Sequence, residues 1–288
     1  MLPLLLSLWL AADTGAADQL YRAGRYTEAA SAYRQLIAGN PSSPEPLAGV
    51  GNCLLAMHNP REAVPYLSHA LQLKPDSGEI RLTLARALLE GGNPGAATGL
   101  LDALREKEPA NTAALRLLAE ALYRQGYYQN AINATDRLIA LHADDVASRR
   151  IRAVALAKVG RATEAETACK RLMDAEPETL DVDVALTYVE ILYDGGHYDA
   201  ALPYADKVAR QHPDNPIAPL WQARLLFRSG RIEEAVREAE RCVSLAPGLP
   251  FGHSLLLDIY RKAGRAQDAQ REAQWLRAYN DGIAGRGR

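Results

Sequence analysis

Histidine and cysteine side chains are the groups in this 288-residue chain that could bind a metal ion or act as nucleophiles. The six histidines are never three or four residues apart, the spacing that places two imidazole rings on one face of a helix. The three cysteines, Cys53, Cys169 and Cys242, lie far apart in the chain, and an odd number cannot pair completely. We therefore expect buried free thiols, and we predict neither a metal site nor a cofactor.

Other patterns that could support catalysis have simpler structural explanations. The glycine-rich stretch at residues 91–95 lacks the following Lys-Ser/Thr pair and the preceding strand of a phosphate-binding loop. A Gly-x-Ser-x-Gly nucleophile motif is absent from the sequence. The carboxylate pairs at residues 144–145 and 233–234 fall at turns or where helices begin, and negative charge stabilises a helix N-terminus. The sequence predicts a protein that is not an enzyme.

Four residue types recur at fixed positions in a repeat along the chain. This repeat predicts the helices and turns that position the other side chains. An alanine column has spacings of 34 residues with a single 36, and consists of Ala29, Ala63, Ala97, Ala131, Ala165, Ala201, Ala235 and Ala269. Five residues earlier lies a glycine column, consisting of Gly24, His58, Gly92, Gly126, Gly160, Gly196, Gly230 and Gly264. Nine residues before the alanine lies a leucine column, consisting of Leu20, Leu54, Leu88, Leu122, Leu156, Leu192, Leu226 and finally Tyr260. Twelve residues after the alanine lies a proline column, consisting of Pro41, Pro75, Pro109, Pro177, Pro213 and Pro247, with Ala143 and Asp281 as exceptions.

Each column has a helical explanation. Glycine ends a helix because it adopts the left-handed conformation without a Cβ penalty, and proline marks where a helix has stopped. The leucine column supplies an apolar face that each unit must bury. Self-similarity with a period of about 20 to 50 residues is typical of stacked-repeat proteins. Each unit is therefore predicted to be a helix, a tight turn, a second helix and a short turn.

This pattern resembles the tetratricopeptide repeat, most clearly in the turn motifs at residues 126–131, 196–201 and 230–235. The resemblance extends from about residue 17 to residue 280. It implies an all-α, right-handed superhelical solenoid of about eight helix-turn-helix units. We place these units at residues 10–43, 44–77, 78–111, 112–145, 146–179, 182–215, 216–249 and 250–281. Leu180 and Asp181 are then an insertion after the fifth unit.

The beginning of the chain has a different composition. Residues 2–12 are apolar apart from Ser7, and small residues follow at 14–16. We interpret residues 1–16 as a signal peptide, residues 17–281 as the repeat domain and residues 282–288 as a disordered tail. An uncleaved membrane anchor, or the first helix of a cytosolic repeat domain, remains an alternative to the signal peptide. The expected location is periplasmic or secreted in a bacterium, with the cytoplasm as the alternative.

The resemblance also implies which residues could bind a partner. In this family the first helices of successive units line a concave groove. At the corresponding positions lie Arg86, Arg116, Glu120, Tyr123, Arg124, Arg150, Lys158, Glu190, Tyr193, Arg224, Phe227 and Arg228. These side chains are either ordinary solvated helix faces with paired charges, or a site for a protein or peptide segment. In the second case Tyr123, Tyr193 and Phe227 are the expected apolar anchors.

Charge limits the choice of partner. A net charge of -2 and a pI of about 6.3 provide no general attraction to nucleic acid or to anionic membranes. We expect no nucleic-acid partner, and membrane contact only through an uncleaved leader. The leading hypothesis is a non-enzymatic scaffold in the cell envelope that binds a partner segment in the groove. The alternatives are an accessory subunit of an envelope enzyme or of a secretion or glycan machine, and a cytosolic peptide-binding regulator.

Overall fold

The computed structural model describes residues 15–175 and 181–286, and every regular element within these ranges is an α-helix. Helix α1 comprises residues 15–22. The following helices are α2 (Tyr26–Gly39), α3 (Pro44–Ala56), α4 (Pro60–Leu73), α5 (Gly78–Glu90), α6 (Pro94–Lys107), α7 (Thr112–Arg124), α8 (Tyr128–Ala140), α9 (Val146–Lys158), α10 (Ala162–Ala175), α11 (Val182–Asp194), α12 (Tyr198–Gln211), α13 (Ile217–Arg228), α14 (Ile232–Leu245), α15 (Pro250–Lys262) and α16 (Ala266–Arg286). The predicted all-α class is confirmed.

The chain divides into two compact units, Met1–Ile151 and Arg152–Arg288. In the first unit, each helix from α2 to α8 packs against the next one along the chain. In the second unit, the same holds from α10 to α16. Each unit is thus a stack of helix pairs, which is the arrangement expected of helical repeats.

The turn inside each repeat has the same backbone geometry throughout. The seven glycines of the glycine column have φ between 72° and 87°, and His58 has φ of 59°. The residue after each of these positions donates its N–H to the carbonyl of the leucine column, as Asn93 does to Leu88 at 2.8 Å. This six-to-one hydrogen bond is the Schellman motif, which requires the left-handed conformation at the glycine position.

The alanine column lies in the core. Its first seven members are fully buried, and Ala269 is 6% exposed. Leucine side chains such as Leu67, Leu101 and Leu104 fill the space around these alanines. Because protein interiors are close-packed, larger side chains at the alanine positions would have to displace these neighbours.

Several predictions about the chain ends and the insertion fall outside the described ranges. Residues 1–14 and 176–180 are not described, and they include most of the predicted leader and part of the predicted insertion. Helix α16 extends to Arg286, so residues 282–286 are helical where the sequence predicted disorder. A helix that has already formed extends residue by residue without a new nucleus, which explains this difference. Within the described ranges, each helix is too short or too polar to cross a lipid bilayer.

Candidate interaction surface

The first helices of neighbouring repeats form a shared surface in each unit. Helices α3, α5 and α7 contact one another in turn, and so do α11, α13 and α15. The second helices of neighbouring repeats make no comparable contacts in the described chain. Because the first helices of neighbouring repeats lie closer together than the second helices do, the solvent-facing sides of the first helices form the inner surface of each stack. We call this surface the first-helix face.

In the first unit, two of the predicted groove arginines on this face form ion pairs with carboxylates on their own helices. Arg86 Nε lies 4.0 Å from Glu90 Oε1 on the same helix. Arg124 forms an ion pair with Glu120 and donates from Nη1 to the Leu89 carbonyl at 3.0 Å. Exposed ion pairs of this kind contribute only about 0–1 kcal/mol. The bond to Leu89, however, joins α7 to α5 of the preceding repeat.

Arg116 stabilises the turn between α8 and α9, where Ala143 replaces the proline of the proline column. His142 has φ of 51°, and the Ala143 N–H donates to the Leu138 carbonyl at 2.9 Å, which a proline could not do. Arg116 donates from Nη2 to the Ala143 carbonyl at 2.7 Å. Its Nε lies 2.6 Å from Asp145 Oδ2. This arginine therefore has a structural role.

Asp145 precedes α9, and its carboxylate accepts the backbone N–H of Ser148 at 2.8 Å. Burial alone would raise the pKa of Asp145. Hydrogen bonds from the backbone and side chain of Ser148, together with the Arg116 guanidinium, outweigh that effect and lower the pKa below its usual 3.8. The carboxylate is thus ionised at neutral pH and caps the start of α9.

Three of the predicted groove residues in the second unit also have intramolecular partners. Lys158 on α9 forms an ion pair of 3.4 Å with Glu190 on α11. Phe227 is half-buried and packs against a core cluster that includes Leu226. Its side chain stays partly exposed, as those of Tyr193 and Trp221 do, so its role as an apolar anchor stays a prediction. Arg150, on α9 in the first unit, is half-buried.

Tyrosine pairs recur across the turn inside three of the described repeats, eight and three residues before the alanine column. The distances between ring centroids are 5.3 Å for Tyr21–Tyr26, 5.8 Å for Tyr123–Tyr128 and 5.4 Å for Tyr193–Tyr198. Each pair joins the two helices of its repeat. The predicted anchors Tyr123 and Tyr193 are thus held in place by a neighbouring ring.

A cluster of three aromatic rings and two arginines lies at the first-helix face of the second unit, with one of the rings supplied by the start of the second helix α12. We call it the aromatic–arginine cluster, and it consists of Tyr193, Tyr198, Trp221, Arg224 and Arg228. The Trp221 ring packs edge-on against Tyr193, with centroids 5.5 Å apart. The Arg224 guanidinium lies 5.1 Å from the Trp221 centroid. Arg228 lies 5.4 Å from the Tyr198 centroid and donates to its hydroxyl from Nε at 3.1 Å and from Nη2 at 2.9 Å.

The sequence analysis identified three members of this cluster and missed Tyr198 and Trp221. The recurrence of the tyrosine pair could have identified Tyr198, because Tyr26 and Tyr128 occupy the same register position. No repeat column indicates Trp221. Its contact with Tyr193 depends on the packing of α13 against α11.

The three cysteines are not activated as nucleophiles. Cys53, Cys169 and Cys242 are buried and free, as predicted. Burial raises the pKa of their thiols to about 11, about 12 and about 11, respectively. Thiols with such pKa values are protonated at neutral pH and are poor nucleophiles. In the described parts of the chain, no group of three or more His, Cys, Asp or Glu side chains is placed to hold a metal ion.

The stacked helix pairs and their first-helix faces define a helical-repeat scaffold. Residues 30–148 match the family model of the TPR domain of cytochrome c-type biogenesis protein H. Residues 124–178 and 189–250 match one tetratricopeptide-repeat model, and residues 12–43 match another. The chain belongs to the tetratricopeptide-repeat family. Proteins with this fold are typically non-enzymatic scaffolds that bind proteins or peptides.

Solved structures show the same fold at low sequence identity. A tetratricopeptide repeat protein from Parabacteroides merdae has a TM-score of 0.61 and 16% identity, with 86% of this chain and 97% of that chain covered. The APC/C hetero-tetramer Cut9-Hcn1 gives a TM-score of 0.64 and 13% identity over 86% of this chain and 48% of the other. YrrB, described as a TPR protein with an unusual peptide-binding site, gives 0.53 and 14% over 65% and 95%. No curated protein sequence matches the chain.

Proposed function

We propose that this protein is a non-enzymatic scaffold that binds a segment of a partner protein on the first-helix face of the second unit. The aromatic–arginine cluster is the observation that carries this proposal. Trp, Tyr and Arg are the residue types that contribute most often to binding hot spots. Here Tyr193, Trp221 and two arginines lie together on the adjacent first helices α11 and α13, and Tyr198 joins them from the start of the second helix α12.

The contacts within the cluster favour binding because they restrain its side chains before a partner arrives. Tyr193 is packed between Tyr198 and Trp221, and each arginine lies over a ring. Ordering a long side chain on binding costs roughly 0.5–1.5 kcal/mol, so restraining it beforehand reduces that cost. All three rings remain partly exposed to solvent. In the first unit, by contrast, Arg116 holds the turn after α8 and Arg124 joins α7 to α5 of the preceding repeat.

Affinity capture with the full chain tests this proposal. The test variant combines Tyr193→Ala with Trp221→Ala. The matched control is Tyr127→Ala, because Tyr127 is a 58% exposed aromatic residue in the turn before α8 and is not a member of the cluster. Removal of two hot-spot residues should reduce partner recovery by on the order of tenfold or more. The control should recover the partner as the wild type does.

Unchanged recovery by the double variant, with the helical circular dichroism of the wild type, would overturn the proposed site.

The same protein preparation tests a location in the cell envelope, which the apolar composition of residues 2–12 supports. An intact mass that lacks the leader supports export, and an intact Met1 on the soluble protein contradicts it.

An accessory role in an envelope machine is the second candidate. The match of residues 30–148 to a domain of a cytochrome c-type biogenesis protein favours it. In that case the captured partner is a subunit of an assembly or modification system whose activity depends on this chain. A partner that functions equally well after removal of this chain would contradict the accessory role and leave the scaffold role intact.

A further inference from the structure

Two first helices in the second unit carry opposite charges that do not pair with each other. Arg224 and Arg228 lie on one side of α13, because they are four residues apart. Across the described chain, neither has a carboxylate within 4.0 Å. Asp183 and Asp194 are exposed on α11 and likewise have no cationic partner within that distance among described residues. Helices α11 and α13 are nevertheless in direct contact.

Several arginines elsewhere in the chain form ion pairs with nearby carboxylates. At the turn inside four repeats, an arginine forms an ion pair with a carboxylate three residues later. These pairs are Arg25–Glu28, Arg161–Glu164, Arg231–Glu234 and Arg265–Asp268. The arginines of α13 instead lie over aromatic rings, where their charge is retained.

The geometry leaves hydrogen-bond donors available on both α13 arginines. A guanidinium carries five N–H groups in a planar fork. Arg228 directs two of its nitrogens at one acceptor, the Tyr198 hydroxyl, so its Nη1 group has no partner in the described structure. Arg224 donates to no acceptor in the described structure and contacts the Trp221 ring. A planar fork of this kind matches the two oxygens of a carboxylate.

We propose that the segment bound at the aromatic–arginine cluster contains an internal Asp or Glu next to an apolar or aromatic residue. This inference rests on the proposed function and adds the chemistry of the partner. The carboxylate binds Arg224 and Arg228, and the apolar neighbour packs on Trp221 and Tyr193. A long acidic run does not fit, because it would extend over α11 and meet Asp183 and Asp194.

The charges also determine the direction of the bound segment. Asp183 and Asp194 are eleven residues apart on α11, and thus lie on nearly the same side of that helix. A neutral or basic residue is favoured over α11, and the carboxylate is favoured over α13. Opposite charges on two adjacent helices accept a segment in one orientation and disfavour the reverse.

A selection from a random-peptide library, displayed so that the C-terminus is not free, tests this inference with the full chain. The test variant combines Arg224→Gln and Arg228→Gln. The matched control combines Arg210→Gln and Arg237→Gln, which removes the same charge from exposed positions on the second helices α12 and α14. We expect selected peptides to carry one Asp or Glu beside an apolar residue. Their affinity, measured by fluorescence anisotropy, should fall about ten- to a hundredfold in the test variant, since hydrogen bonds between charged groups are stronger than those between neutral groups.

The possible outcomes separate this inference from the proposed function. Peptides that lack acidic residues, but lose binding in the Tyr193→Ala and Trp221→Ala variant, overturn the carboxylate inference and retain the site. Peptides that bind equally well to all of these variants overturn both. Equal weakening by the test and control pairs indicates general attraction to positive charge and also overturns the inference. Circular dichroism of each variant verifies that the fold is retained.

Discussion

His58 occupies a glycine-column position and has a φ of 59°. At this conformation the Cβ of an L-residue crowds the following carbonyl, at a cost of roughly 1–2 kcal/mol. The chain tolerates this cost because the Schellman hydrogen bond from Asn59 to the Leu54 carbonyl, at 2.8 Å, depends on the left-handed turn. At the residue scale, backbone conformation therefore explains the glycine column better than side-chain contact does.

His58→Gly should raise the free energy of unfolding by about 0.5–1 kcal/mol. Glycine relieves the left-handed strain, although part of the gain is offset by its larger entropy in the unfolded chain. Urea denaturation followed by circular dichroism measures the change. The control is His69→Gly, which places glycine at an exposed position in the middle of α4 and should lower stability by about 0.3 kcal/mol. A His58→Gly variant no more stable than the wild type would contradict this explanation.

At the element scale, the turn between α8 and α9 shows how a departure from the repeat pattern is accommodated. The proline column ends the second helix of most repeats, but here Ala143 leaves a backbone N–H that bonds to Leu138. The turn consequently has the left-handed geometry at His142, and Arg116 and Asp145 hold it closed. One missing proline thus accounts for the structural use of a predicted groove arginine.

Ala143→Pro restores the residue that the proline column predicts, and yet it should destabilise the protein by about 1–3 kcal/mol. Proline removes the N–H that donates to Leu138 and disfavours the conformation of the residue before it. Ala143→Ser keeps the N–H and should change stability by less than about 0.5 kcal/mol. Both values follow from urea denaturation. Equal or higher stability of the proline variant would show that the hydrogen bond from the Ala143 N–H does not stabilise this turn.

At the scale of the whole molecule, stability is distributed over contacts between neighbouring helices. The contact of α15 with α16 shows this in the second unit. His253 is buried, with Nδ1 2.6 Å from Glu272 Oε2 and Nε2 2.9 Å from the Pro247 carbonyl oxygen. Its ring stacks on Trp275, with centroids 3.5 Å apart. This polar and aromatic contact joins the two helices locally.

Trp275→Ala should increase amide hydrogen exchange in α15 and α16 by about tenfold or more, because a large half-buried side chain is lost. Exchange in α2–α8 should stay at the wild-type rate, because each repeat contacts only its neighbours. Arg277→Ala, at an exposed position on α16, is the control and should change little. A rise in exchange spread evenly over all helices would contradict local stabilisation.

The repeat columns predicted most of the fold because each column reflects a local steric requirement, either of the backbone in a turn or of the packing between helices. Glycine-column residues have positive φ, and alanine-column residues are buried. Positions outside the columns were harder to interpret. Phe227 was predicted to be an apolar anchor, and the structure adds that it packs half-buried against a core cluster, which depends on how α13 packs. The sequence analysis also missed the helical continuation of α16 through residues 282–286. A helix that has already formed can extend into residues whose own helix propensity is low, because extension needs no new nucleus.

By itself, the sequence determined the helices, their turns and the family, because these depend on spacing and on the backbone preferences of glycine and proline. Only the tertiary structure decided which candidate side chains are engaged. Arg116 and Arg124 bind carbonyl oxygens of other helices or turns. Arg224 and Arg228 lie over aromatic rings and keep their charge without a carboxylate partner among the described residues. All four are arginines on first helices, and they differ only in the neighbours that packing between helices brings to each guanidinium.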